Sequence, residues 1–138
     1  MAAVVMCCQM AHAADKAENM KIEIVVGDKK VVAILEDSEA ARDFASLLPL
    51  TFKMKDYNRT EKISDLPRKL ATNHAPAGYA PKVGDITTYT PWGNLNVFYR
   101  DFGYSTGLVK LGHIESGIEV FAKQSGDFEM TIRTLTKN

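Results

Sequence analysis

The chain has 138 residues, of which 46% are hydrophobic and 25% charged, the balance of one soluble globular domain. Its 17 Lys and Arg match its 17 Asp and Glu, so the formal net charge is zero. This argues against a nucleic-acid binder that relies on a strong overall positive field. It also argues against an acidic solvating tail.

No apolar run approaches the roughly 20 residues that a membrane-spanning helix needs. Residues 1–14 carry no charge, and Ala11-His12-Ala13 is a small-x-small triplet of the kind a signal peptidase cuts after. The apolar stretch before it fits a short h-region, although the basic n-region is missing. Residues 1–13 therefore read as a truncated signal peptide, with a linker over 14–20 and a domain over 21–136. The expected location is periplasmic or secreted, with a mature start at Ala14 that the mass of the processed protein would reveal. The alternative is a cytoplasmic protein starting at Met20. Both cysteines, Cys7 and Cys8, lie in the presumed signal. Being adjacent, they cannot cross-link distant parts of a fold.

Ile22, Ile24 and Val26 alternate with Glu23 and Val25, Gly27-Asp28 interrupts, and Val31 to Leu35 resumes. Two β-rich runs around a Gly-Asp turn predict a hairpin. Asp37 or Ser38 can cap a following helix, whose apolar face is Ala40, Phe44, Leu47 and Leu48. Pro49 ends that pattern, and Phe52 and Met54 then alternate with polar residues as in a half-exposed strand. Residues 57–84 show no clean period and read as a long irregular segment. Asp85 to Thr90 reads as a strand, Pro91-Trp92-Gly93-Asn94 as a turn, and Leu95 to Arg100 as a strand with both faces partly apolar. Leu108 to Ile114 predicts another strand, residues 117–124 a short helix, and Phe128, Met130 and Ile132 a last strand. Seven or so strands with two brief helices that do not alternate regularly with them argue against a doubly wound parallel sheet. They favour a mainly antiparallel sheet that curls or closes, which removes exposed edges.

Chemical motifs are few. There is no phosphate-binding glycine loop, no metal-ligand spacing and no nucleophile elbow. No cofactor, metal or catalytic residue is assigned. Two denser clusters remain, one from Asp56 to Arg68 and one from Tyr89 to Tyr104. Within them Tyr57, Glu61, Lys62, Arg68, Trp92, Tyr99 and Arg100 are the candidate ligand-binding residues. Aromatics and arginine near turns combine large contact area with directed hydrogen bonds. Filling a barrel end and pairing charges would explain the same residues about as well.

The segments Leu48-Pro49-Leu50, Asp56-Tyr57-Asn58-x-Thr60-Glu61-Lys62, Leu66-Pro67-Arg68-Lys69-Leu70, Gly84-Asp85, Pro91-Trp92-Gly93-Asn94 and Phe98-Tyr99-Arg100-Asp101 resemble the bacterial cyclophilin-like domain family. The resemblance runs over roughly residues 20–134. It implies a closed cyclophilin-like β-barrel with two short helices capping its ends. The family's members are mostly uncharacterised. The Phe-His pair, the Gln-x-Gly-Asp-Phe stretch and the Gly-Ser-Gln-Phe-Phe stretch of true cyclophilins are absent, and Ser125-Gly126-Asp127-Phe128 is only superficially similar. The expected function is therefore a non-enzymatic binding module for a peptide or small ligand. One alternative is a peptidyl-prolyl isomerase with a non-standard site, in which Arg68 or Arg100 supplies the guanidinium that weakens amide resonance. The other is a structural protein-interaction domain.

Overall fold

The computed structural model describes residues 20–135. The presumed signal, with both cysteines, lies outside the described residues, as does the linker up to Asn19. Ten strands and two helices follow one another among the described residues. They are β1 (Lys21–Val26), β2 (Lys29–Leu35), α1 (Glu39–Ser46), β3 (Leu50–Tyr57), β4 (Glu61–Asp65), β5 (Gly78–Tyr79), β6 (Asp85–Tyr89), β7 (Asn94–Phe98), β8 (Ser105–Thr106), β9 (Leu108–Ile114), α2 (Glu119–Ala122) and β10 (Phe128–Thr134). Eight strands close into a barrel in the order β1-β10-β3-β4-β7-β6-β9-β2, and β5 pairs with β8 as a separate small sheet. Neighbouring strands are antiparallel throughout. The mainly β, closed-barrel expectation with two short helices is met.

The predicted hairpin is β1–β2, with Val26 paired to Lys29 across Gly27-Asp28. Gly27 takes φ +60°, a left-handed conformation that a residue with a Cβ adopts only with strain. Ile22 and Ile24 point inward and are fully buried, as the alternation requires. Ser38 rather than Asp37 caps α1, its hydroxyl accepting from the Ala41 N–H at 3.2 Å. The helix buries Ala40, Ala41 and Phe44. It leaves the end of β2 and returns at the start of β3, so it covers one end of the barrel. The four-residue α2 joins β9 to β10 and covers the other end with Phe121, which is fully buried.

The segment read as irregular contains β4, which pairs with β3 and β7 and without which the barrel would not close. Its sequence Glu-Lys-Ile-Ser-Asp escapes a hydrophobic reading because its inward side carries Lys62 and Ser64. Beside it, β7 is buried at all five positions. Leu95 and Val97 belong to the barrel core, whereas Asn94, Asn96 and Phe98 are buried on the outside of the barrel. What covers that outer face is the chain between β7 and β9, held by the β5–β8 pair. The second layer creates a recess on the barrel wall.

Candidate functional site

The recess is a cleft of about 470 Å³. From the barrel wall it is lined by Tyr57, Glu61, Tyr89, Asn96, Phe98 and Leu108. The register explains this set. Tyr57 pairs with Glu61, Glu61 with Phe98, and Tyr89 with Leu108, and paired residues on an antiparallel sheet share a face. Trp92 overhangs from the β6–β7 turn, and Phe102, Ser105 and Thr106 complete the wall from the covering segment. Trp92 meets Tyr57 edge-on with ring centroids 5.5 Å apart and Tyr89 at 5.4 Å. Such T-shaped pairs are favoured by the ring quadrupoles and hold the indole in place.

Glu61 is the one charged side chain among these lining residues. Burial pushes its carboxyl up, a hydrogen bond from Asn96 opposes the shift, and the nearby Asp56 charge adds to it, leaving the group at about 7. Asn96 is itself oriented. Its Oδ1 accepts from the Thr87 hydroxyl at 3.0 Å, which leaves the amide nitrogen as the donor for Glu61. The turn between β3 and β4 also bears on the cleft. Asn58 and Arg59 both take left-handed φ, at 55° and 51°, and the Asp56 carboxylate accepts from the Arg59 N–H at 3.1 Å. That hydrogen bond stabilises a tight turn that residues with a Cβ rarely adopt.

Of the seven residues singled out in the sequence, Tyr57, Glu61 and Trp92 meet in this cleft. Lys62 and Tyr99 belong to a different cluster, at the barrel end closed by α2. Neighbours along a strand point to opposite faces, so Lys62 enters the barrel where Glu61 leaves it. Its side chain is 2% exposed. The ammonium donates to the Gln124 carbonyl at 2.8 Å, lies 3.2 Å from Asp56, and sits 5.1 Å from the centroid of the Tyr99 ring. The Tyr99 hydroxyl donates to Asp56. Burial pushes the Asp56 carboxyl up, but the hydrogen bonds from Tyr99 and Lys62 outweigh it and hold the group below its ordinary value. Burial, with that same hydrogen bond, raises the Tyr99 hydroxyl to about 12.

Arg68 forms a bidentate pair with Asp43, both contacts at 2.8 Å, and so ties the chain after β4 to α1. Arg100 is exposed. Neither arginine lines the cleft. The Arg68 hydrogen bond, followed by one from the Ala71 N–H, lowers the Asp43 carboxyl from 3.8 to about 2. A depressed folded-state value contributes stability that is fully present above the unfolded value and is lost as pH falls through the folded one. In an acid titration followed by circular dichroism, the wild type should lose stability between about pH 4 and about pH 2. Arg68→Ala should lose less over the same window.

The aromatic cleft escaped the sequence in part. Tyr89, Asn96, Phe98 and Leu108 read as strand residues, and their meeting depends on register. Asn96 carried the best available signal, because asparagine is disfavoured in a strand and this one lies between Leu95 and Val97.

The family model described as the cyclophilin-like family matches residues 24–133, most of the chain. The chain belongs to the cyclophilin-like family. Among solved structures, this cyclophilin-like chain is similar to the hypothetical protein AF2241 from Archaeoglobus fulgidus, seen in solution. The TM-score is 0.62 at 15% identity, over 86% of this chain and 96% of that one, a likeness of fold. No curated protein matches the sequence.

A second cavity, of about 500 Å³, lies between α1, residues 71–79 and β9 of the cyclophilin-like barrel. Its charged groups are already engaged. Arg42 pairs with Asp37, His74 with Glu39, and Lys110 with Glu36. Beside it the buried Asp85 accepts from Tyr79, from the Lys82 N–H and, at 2.8 Å, meets His113 Nδ1. This cluster satisfies itself and reads as a clamp on the start of β6. Among the described residues no group of three or more His, Cys, Asp or Glu is placed to hold a metal ion. No helix among them is long and apolar enough to cross a membrane.

Proposed function

We propose that this cyclophilin-like protein is a binding module whose ligand site is the cleft on the outer wall of the barrel. The observation that carries the proposal is the distribution of exposed aromatic surface. Six large apolar side chains are exposed among the described residues, and three of them, Tyr57, Trp92 and Phe102, line this one cleft. Such a concentration on a soluble domain marks an interaction site. The half-buried Glu61 and the oriented Asn96 add the few directed polar groups that fix a ligand's orientation. An isomerase site would need a guanidinium in an apolar-walled cleft, and the positions of Arg68 and Arg100 favour binding over that chemistry.

Trp92 is the sole tryptophan of the chain, so tryptophan emission reports on this one side chain, which overhangs the cleft and on its other side borders a recess with Lys53, Lys55 and Asp65. Titration with pools of peptides and metabolites should shift its emission in a saturable manner. Trp92→Ala, followed by calorimetry, should weaken a ligand so found by about tenfold or more, as expected of a central aromatic anchor. Its melting temperature should stay close to wild type, since the indole is 53% exposed. A silent Trp92 in the intact fold, whatever the pool, would remove the proposal and leave a structural or protein-interaction domain.

A further inference from the structure

The cleft unites two features that together define a ligand charge. Its walls are aromatic, from Tyr57, Tyr89, Trp92, Phe98 and Phe102. Its one charged lining residue is Glu61, which forms no ion pair among the described residues. Ring faces attract cations through their quadrupole, and an unpaired carboxylate in an apolar recess is stabilised by an incoming positive charge. An anion would meet repulsion from Glu61 and no compensating cation on the lining.

Building on the reading of the cleft as a ligand site, we infer that it takes an organic ammonium ion, the cation set against Glu61 and its alkyl groups among the aromatic rings. The volume of about 470 Å³ leaves room for a larger body attached to the cationic head. The hydroxyl-bearing rim residues Ser105 and Thr106 can hydrogen-bond that body.

The inference has a pH signature. Glu61 is uncharged below about 7 and charged above it. The groups that act on it are Asp56 from β3, which disfavours its charge, and the neutral Asn96 from β7, which favours it. A cation should therefore bind more tightly as pH rises through about 7, because it selects the ionised carboxyl.

The test compares choline with its uncharged isostere, in which carbon replaces the quaternary nitrogen. Both are titrated into wild type and into Glu61→Gln while Trp92 emission is followed, with melting temperatures as the check on folding. Choline should bind wild type about tenfold more tightly than the isostere, a typical gain for a cation in a desolvated aromatic site. Glu61→Gln should remove most of that preference and the pH dependence. A preference that survives Glu61→Gln would overturn the pairing of the cation with Glu61, and equal binding of both ligands would overturn the cation assignment and leave the cleft as a site for neutral ligands. Failure of choline alongside saturable binding of some neutral or acidic ligand would do the same. If no compound moves Trp92 in the folded protein, the reading of the cleft itself falls.

Discussion

Lys62→Ala should lower the unfolding free energy by about 3–4 kcal/mol, measured by urea denaturation, although it removes a charge from the inside of a barrel. A buried lysine is an expensive residue in isolation. Here its ammonium is the donor for the Gln124 carbonyl and the counter-charge of Asp56, and the Tyr99 and Phe128 rings lie 5.1 and 5.9 Å from it. Truncation leaves the carbonyl without that donor, leaves Asp56 without its cation, and empties the space the alkyl stem filled. The Asp56 side chain is 35% exposed, which lets water meet part of the loss and places the estimate at the lower end of the range for broken buried pairs. Lys62→Met separates the contributions. It restores the packing of the stem and should recover roughly half of the stability, the rest being electrostatic. Equal stability of wild type and Lys62→Met would show that the ammonium contributes nothing.

Phe121→Ala should cost about 3–5 kcal/mol in the same assay, the usual range for emptying a fully buried phenylalanine site. The residue is fully buried and meets Phe128 edge-on with centroids 6.3 Å apart. It is the one fully buried residue of α2, and the partly buried Val120 is the other side chain of that four-residue helix that packs against the core. The two sites are also coupled. The Gln124 carbonyl that receives Lys62 lies two residues after the end of α2, and the Gln124 N–H bonds back to the Phe121 carbonyl at 3.1 Å. Once Phe121 is removed, the carbonyl is no longer held in place, and Lys62 loses part of its contribution beforehand. The double variant should therefore lose less than the sum of the two single losses, by about 1 kcal/mol. Strict additivity would show that α2 and the Lys62 cluster act independently.

Much of the barrel is legible in the chain because most strands have a core side and a solvent side. β1, β3 and β10 alternate cleanly, and the Gly27-Asp28 and Pro91-Trp92-Gly93-Asn94 turns stand where the backbone must reverse. β4 is hidden because its interior position at the barrel end is a lysine whose partners come from β3 and from the chain after α2. β5 and β8 are hidden for another reason. Each is two residues long and held by close backbone approach, with a Cβ on Gly78 falling 2.3 Å from the Ser105 carbonyl oxygen. No side-chain pattern announces such a contact. The cleft divides in the same way. Tyr57, Glu61 and Trp92 stand out as aromatic or charged residues near turns, whereas Asn96, Phe98 and Leu108 join them through cross-strand register. Lys62 follows Glu61 in sequence, and the period of two that separates their faces becomes visible once β4 is known to be a strand.

Whether the outer-wall cleft is the place where ligand binds is tested most directly by mapping amide chemical-shift changes in isotope-labelled protein as a bound compound is titrated in. The changes should concentrate on Glu61, Trp92, Asn96 and Ser105, with Asp43 and Arg68 unmoved. Changes concentrated on Ala71, His74 and Tyr79 around the second cavity, or on Arg68 and Arg100, would contradict that assignment.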